Sequence, residues 1–133
     1  NEHVFVHPFE DEDVIAGQGT IALEILEQYE KVDTVLVPVG GGGLLSGIAF
    51  TIKKLRPDCK VYGVQAEGAD GMVQAFAENS DITLDKVATF ADGIAVKKPG
   101  TLTYELCRKY LDDIVTVTDD EIAAAILTLI VLP

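Results

Sequence analysis

Apolar and polar positions alternate along the chain between two periods. Val14, Ile21, Ala22, Ile25 and Leu26 recur at helical spacing after Asp11, Glu12 and Asp13, whose charges suit a helix N-terminus. Residues 34–39 form an apolar, β-branched run, which predicts a strand. Leu44, Leu45, Ile48, Ala49, Ile52 and Leu55 then make a second helical stripe, broken by Pro57-Asp58. Lys60 to Ala66 predicts another strand, Gly71 to Ala77 a helix, and residues 78–91 an irregular polar stretch. Leu102, Leu106 and Tyr110 predict a helix over 101–110, and residues 114–117 a strand. Thr118 and Glu121 are spaced as a capping box before a last helix carrying Ile122, Ile126, Leu129 and Ile130. Val4-Phe5-Val6 reads as a further short strand ended by Pro8.

Strand and helix alternate throughout. The expectation is a single α/β unit over 1–133, with a mainly parallel twisted sheet and helices on both faces. The unbroken apolar runs at 34–39 and 114–117 fit strands covered on both sides. Gly17 and Gly19 interrupt the first helix, where each costs about 1 kcal/mol relative to alanine. Close packing is the preferred reason for them, and approach to a ligand the other. Lys53, Lys54 and Arg56 end the second helix, where the dipole favours cations.

The strand at 34–39 runs into Gly40-Gly41-Gly42-Gly43, and a helix starts at once. Glycine can turn the chain sharply and let backbone N–H groups approach a ligand. The free N–H groups of a helix start, with its positive dipole end, attract an anion. Phosphate is the commonest such ligand in an α/β protein. The spacing excludes a P-loop, because no Lys follows the glycines until Lys53. It also fails the dinucleotide pattern G-x-G-x-x-G. A tight turn with nothing bound stays open as the alternative.

Charge and composition narrow the partners. The 133 residues carry 22 acidic and 10 basic side chains, a net charge of −12. That argues against nucleic acid and anionic membranes, which need clustered cations. Cys59 and Cys107 match no metal or redox spacing, so buried packing and a reducing compartment are expected. His3 and His7 lack a third ligand at usable spacing, and no metal site is expected. The chain opens with Asn1 and closes at Ile130-Val131-Leu132-Pro133 inside a helical pattern, which suggests a piece of a longer protein.

The segment Val37-Pro38-Val39-Gly40-Gly41-Gly42-Gly43-Leu44-Leu45-Ser46-Gly47 resembles the phosphate loop of the fold type II pyridoxal-phosphate enzymes, the tryptophan synthase β type. Three further stretches resemble the threonine ammonia-lyase and serine racemase branch of that family. They are Val14-Ile15-Ala16-Gly17-Gln18-Gly19-Thr20, Ala91-Asp92-Gly93 and Asp112-Asp113-Ile114-Val115.

The resemblance implies part of a large cofactor-binding domain with pyridoxal 5'-phosphate as cofactor. Backbone N–H groups of Gly40, Gly41, Gly42, Gly43 and Leu44 would hold its phosphate, and Gly93 would lie close to its ring, a plain Asp-Gly turn being the alternative. It implies a β-elimination that deaminates L-threonine to 2-oxobutanoate and ammonia in a cytoplasmic homo-oligomer, the alternatives being serine racemase or serine dehydratase chemistry, or a non-catalytic module that binds a phosphorylated ligand. The family's cofactor-anchoring lysine sits in a Ser-x-Lys context, which none of the eight lysines here has. No catalytic residue is therefore expected among these residues, and the chain alone should be inactive. At the positions of serine racemase's acidic metal pair stand Gln65 and Gly71, with Glu67 and Asp70 out of register. The apolar Val131-Leu132-Pro133 departs from the family, whose helix turns polar there.

Overall fold

The computed structural model describes residues 2–132. The elements in chain order are α1 (Glu12–Gln28), β1 (Thr34–Pro38), α2 (Gly43–Leu55), β2 (Lys60–Ala66), α3 (Gly71–Glu78), α4 (Thr101–Tyr110), β3 (Asp113–Val117) and α5 (Asp119–Val131). Single 3-10 turns occupy Glu67–Ala69 and Asp92–Ile94. The three strands form one parallel sheet in the order β1-β2-β3. This is the expected α/β architecture.

Local signals set the helix boundaries. The Asp11 carboxylate accepts the N–H groups of Asp13 and Val14, at 2.9 and 3.0 Å, and so starts α1. Thr118 and Glu121 form the reciprocal capping box that opens α5. Pro38 is accommodated in β1 because Val39 donates to the Val64 carbonyl at 2.9 Å. The Pro38 nitrogen, one residue earlier, faces away from β2, where no N–H is needed.

The core lies between the sheet and α2, flanked by α1 and α4. Val35, Val37, Val39, Leu45, Ile48, Ile52, Val61 and Cys107 are buried in it. Fully burying an aliphatic side chain contributes about 1.5–3 kcal/mol, so this cluster is the main source of stability. Two glycine contacts set how closely α2 can lie. A Cβ on Gly63 of β2 would come 2.9 Å from Leu45 of α2. A Cβ on Gly47 would press on the Ile15 carbonyl, and one on Gly19 would lie 2.7 Å from Thr51 Oγ1. Gly19 therefore has the packing role expected of it, whereas Gly17 has nothing within 4 Å of a built Cβ.

Three expectations change. Val4-Phe5-Val6 forms no strand among the described residues; Phe5 is 82% exposed, and an extended run needs a neighbour to hydrogen-bond. In β1 only alternate residues are buried, and Leu36 is 66% exposed. The coverage on both sides read from the apolar runs is therefore not completed within these residues. Lys53 and Arg56 do more than face a helix dipole. Lys53 Nζ donates to the Cys59 carbonyl at 2.7 Å and to Asp112 at 2.6 Å, while Arg56 reaches the carbonyls of Glu30 and Val32. At the other end α5 runs out apolar and has no buried residue. Asn1 and Pro133 lie outside the described residues, so the expectations resting on them are not addressed.

Candidate functional site

The glycine corner sits at the carboxyl edge of the sheet, between the end of β1 and the first turn of α2. Gly42 is the N-cap of α2 at φ 98°, ψ 1°, a left-handed conformation that strains any residue with a Cβ. The first helical bond runs from the Ser46 N–H to the Gly42 carbonyl at 2.8 Å. The N–H groups of Gly40, Gly41, Gly42, Gly43, Leu44 and Leu45 have no hydrogen-bond partner among the described residues. Four of them, Gly42 to Leu45, are the orphan donors of any helix start, and the glycine turn adds two more. Unpaired amides in such number mark a place where water or a ligand must supply the acceptor.

A cavity of about 360 Å³ opens there, lined by Gly40, Gly41, Gly42, Gly43, Leu44 and Gly93. The structure thus brings together all six residues singled out in the sequence, although Gly93 lies fifty residues from the loop. Pro8, Phe9, Gln18, Pro38 and Val96 complete the walls. Among the described residues, no cationic side chain lines the cavity. With a net charge of −12 around it, any attraction for an anion must come from the amide dipoles and the α2 terminus. None of the eight lysines reaches this cavity among the described residues.

The four glycines have steric reasons inside the protein as well. A Cβ on Gly41 or Gly43 would overlap Phe9, one on Gly42 would crowd Met72 and Thr103, and one on Gly40 would lie 3.0 Å from Val96. The glycine run by itself is therefore explained by packing, and the unpaired amides are what point to a ligand. Gly93 differs. A Cβ there meets nothing within 4 Å, and its φ is not positive. Packing gives no reason for glycine at that position.

Thr103 is a residue that sequence reasoning missed. It is fully buried in the first turn of α4, and its hydroxyl donates to the Gly41 carbonyl at 2.6 Å. The Gly100 N–H reaches the same carbonyl at 3.2 Å. In a trans peptide the C=O and the following N–H point opposite ways, and no peptide is cis among the described residues. Holding the Gly41 carbonyl against α4 therefore turns the Gly42 N–H away from α4. Behind it, the Ser46 hydroxyl contacts the Thr103 carbonyl at 3.3 Å and Cys107 Sγ at 3.4 Å. Burial pushes the Cys107 thiol up to about 12, with the Ser46 hydroxyl only partly offsetting it, so this cysteine packs and does not react. The one available sequence signal was Gly100-Thr101-x-Thr103, small and polar residues in a helix's first turn.

The Gly93 segment is tied down separately. Asp119 in the first turn of α5 accepts the Thr89 hydroxyl at 2.5 Å and the Phe90 N–H at 3.1 Å. Ala88 donates to the Gly68 carbonyl at 2.9 Å, and Leu84 to that of Lys97. Gln65 is buried, with its Oε1 accepting the Val73 N–H at 3.1 Å. Asp70 accepts the Gln74 amide, and His7 Nδ1 accepts two backbone N–H groups.

A strand, an amide-rich corner at a helix start and a glycine approaching from across the cavity make a site suited to a phosphorylated cofactor. The chain belongs to the pyridoxal-phosphate dependent enzymes, whose family model matches residues 1–131. It is similar to an L-threonine ammonia-lyase of Thermotoga maritima, at 54% identity over 96% of this chain and 32% of that protein. Its fold is similar to threonine deaminase isoform 2 of Solanum lycopersicum (TM-score 0.91, 42% identity, 93% of this chain and 36% of that one). It is also similar to maize serine racemase (TM-score 0.88, 39% identity, 92% and 38%). The chain thus spans about a third of the length of these relatives.

Proposed function

We propose that this chain is the cofactor-phosphate part of a longer pyridoxal 5'-phosphate-dependent lyase that converts L-threonine to 2-oxobutanoate and ammonia. The observation that carries the reading is the run of five unpaired N–H groups, from Gly40 to Leu44, at the cavity that Gly93 also lines. The N–H groups of Gly40, Gly41, Gly42, Gly43 and Leu44 would donate to the phosphate. A dianion fits here without a cation, because amides fixed in the folded state need no reorganisation to meet it. Gly93 would leave room for the cofactor ring, with Phe9 and Val96 as apolar walls that exclude water.

When bound, the cofactor supplies an electron sink for the charge left as the substrate's Cα proton departs. The residues of this chain bind and orient it. They would hold no proton for the reaction, since among the described residues no Lys, His, Asp or Glu lines the cavity. The balance of the overall reaction is simple: threonine loses its hydroxyl as water, and water returns as the nitrogen leaves as ammonia.

Serine racemase or serine dehydratase is the competing reading, supported by the likeness to the maize enzyme. The Gln65 side chain supports the lyase reading, because it stands where the resemblance to serine racemase implies a metal-binding carboxylate, and its oxygen accepts the Val73 N–H. A non-catalytic binder of a phosphorylated ligand would use the same corner. A cytoplasmic homo-oligomer is part of the proposal; the two buried free cysteines suit a reducing compartment, and no helix among the described residues is long and apolar enough to cross a membrane.

The test is keto-acid formation by the full-length protein loaded with pyridoxal phosphate, with threonine and serine compared side by side. Faster 2-oxobutanoate release from threonine is expected. Cofactor bound with neither substrate turned over would overturn the lyase reading, and failure to retain the cofactor would overturn the site. The 133 residues alone should form no product above the rate of free cofactor.

A further inference from the structure

The first turn of α4, which carries Thr103, has no cap from its own neighbours: its N-cap is Gly100, which has no side chain to offer. A residue ninety-two positions earlier fills that place. Glu10 Oε1 accepts the Leu102 N–H at 2.6 Å, and its other oxygen lies so close to Gly100 that a Cβ there would overlap it. A carboxylate at this end also meets the positive pole of the helix. Glu10 is itself held in a tight turn, because His7 Nδ1 accepts the N–H groups of Phe9 and Glu10 at 3.2 and 2.8 Å. The same turn lays Phe9 against Gly41 and Gly43. One short segment before α1 therefore grips the glycine corner twice, through Phe9 directly and through Glu10 by way of α4.

We propose that Glu10 is a positioning residue for the anion corner: by capping α4 it holds Thr103 against the Gly41 carbonyl and so aims the Gly42 N–H. The inference rests on the reading of that corner as the cofactor-phosphate site. Glu10 does not itself line the cavity and, on this view, does not touch the cofactor. Its effect travels through two hydrogen bonds, Leu102 N–H to Glu10 and Thr103 hydroxyl to Gly41.

The experiment titrates full-length apoprotein with pyridoxal phosphate and follows the phosphorus resonance of the bound phosphate. Glu10→Met keeps the length of the side chain and removes the acceptor. It should weaken cofactor binding roughly five- to tenfold, the scale of a lost helix cap, and shift the phosphorus signal. Glu10→Gln still accepts from Leu102 and should bind within about twofold of the parent. In a Thr103→Val background only the longer Gly100 N–H bond still ties α4 to the Gly41 carbonyl, so Glu10→Met should weaken binding by less than it does in the parent.

Unchanged binding in Glu10→Met, or additive losses in the double variant, would overturn the proposal. If Glu10→Met does not fold, Glu10→Asp, one methylene short of Leu102, takes its place with the same expectations. A parent protein that fails to bind the cofactor sinks the proposed function. A parent that binds it while Glu10→Met binds equally well sinks only the role of Glu10.

Discussion

Replacing Gly42 and Gly93 by alanine, one at a time, separates a glycine required by the fold from one required by the ligand. At Gly42 the backbone is left-handed, with φ 98°, which costs a residue with a Cβ about 1–2 kcal/mol. The new methyl would lie 2.8 Å from Met72 Cε and 3.0 Å from Thr103 Cβ. The methionine end can move, but Thr103 is pinned by its bond to Gly41. Overpacking of this kind costs about 1–3 kcal/mol. Gly42→Ala should therefore lose about 2–5 kcal/mol of stability in all, a large share of the roughly 5–15 kcal/mol that holds a domain together. At Gly93 neither term applies, because a Cβ there meets nothing within 4 Å and φ is not positive. Gly93→Ala should leave stability within about 0.5 kcal/mol and still weaken pyridoxal phosphate binding about tenfold, as the methyl enters the space left for the ring. Urea unfolding of the apoprotein reads the first quantity and cofactor titration the second. A Gly42→Ala loss below about 1 kcal/mol would refute the steric argument, and unchanged cofactor affinity in Gly93→Ala would remove Gly93 from the site.

Asp112, in the turn between α4 and β3, ties α2 to β2: it accepts from Lys53 and from the Val61 N–H, and Lys60 lies 3.5 Å away. Burial raises its pKa, but the Lys53 and Val61 hydrogen bonds and the two lysine charges outweigh that and leave it below the usual aspartate value. A carboxylate depressed in the folded state adds stability above its unfolded pKa, near about 4, and loses it as pH falls through the lower folded value. The stability advantage of the parent over Asp112→Asn should shrink in acid unfolding below about pH 4, and an advantage undiminished at about pH 2 would contradict this. Burial raises the Cys59 and Cys107 thiols; an aromatic disulfide reagent should label neither in the native protein and both in urea, and prompt native labelling would show the sites open. Asp119→Ala removes the acceptor for Thr89 and Phe90. Hydrogen exchange around Phe90 and Gly93 should speed up roughly fivefold or more, the scale of one charged hydrogen bond, and unaltered exchange would show that the segment holds itself.

Legibility followed the range of the interactions. The strand, glycine corner and start of α2 were readable because each is decided within a few residues, by β-branched side chains, by missing Cβ atoms and by the helix period. The Asp11 and Thr118 caps act over three residues, so their chemistry lies in the local sequence. The six candidate cofactor residues were named by resemblance, and the fold brings Gly93 to the same cavity as the loop. Thr103 and Glu10 were not legible. Their partners lie 62 and 92 residues away, and nothing in the pattern around them marks a long-range bond. The Val4–Val6 strand failed for the same reason in reverse, since an apolar run cannot say whether a neighbour exists to pair with it.

By itself, then, the sequence determined the α/β alternation, the turn that only glycine can make, and the set of backbone amides available at the start of α2. Those follow from dihedral preferences and periodicity, which act along the chain. Only the tertiary structure decided which way those amides face. That depends on a threonine, a glutamate and a phenylalanine brought from distant segments, because a peptide plane is oriented by whatever takes hold of its carbonyl.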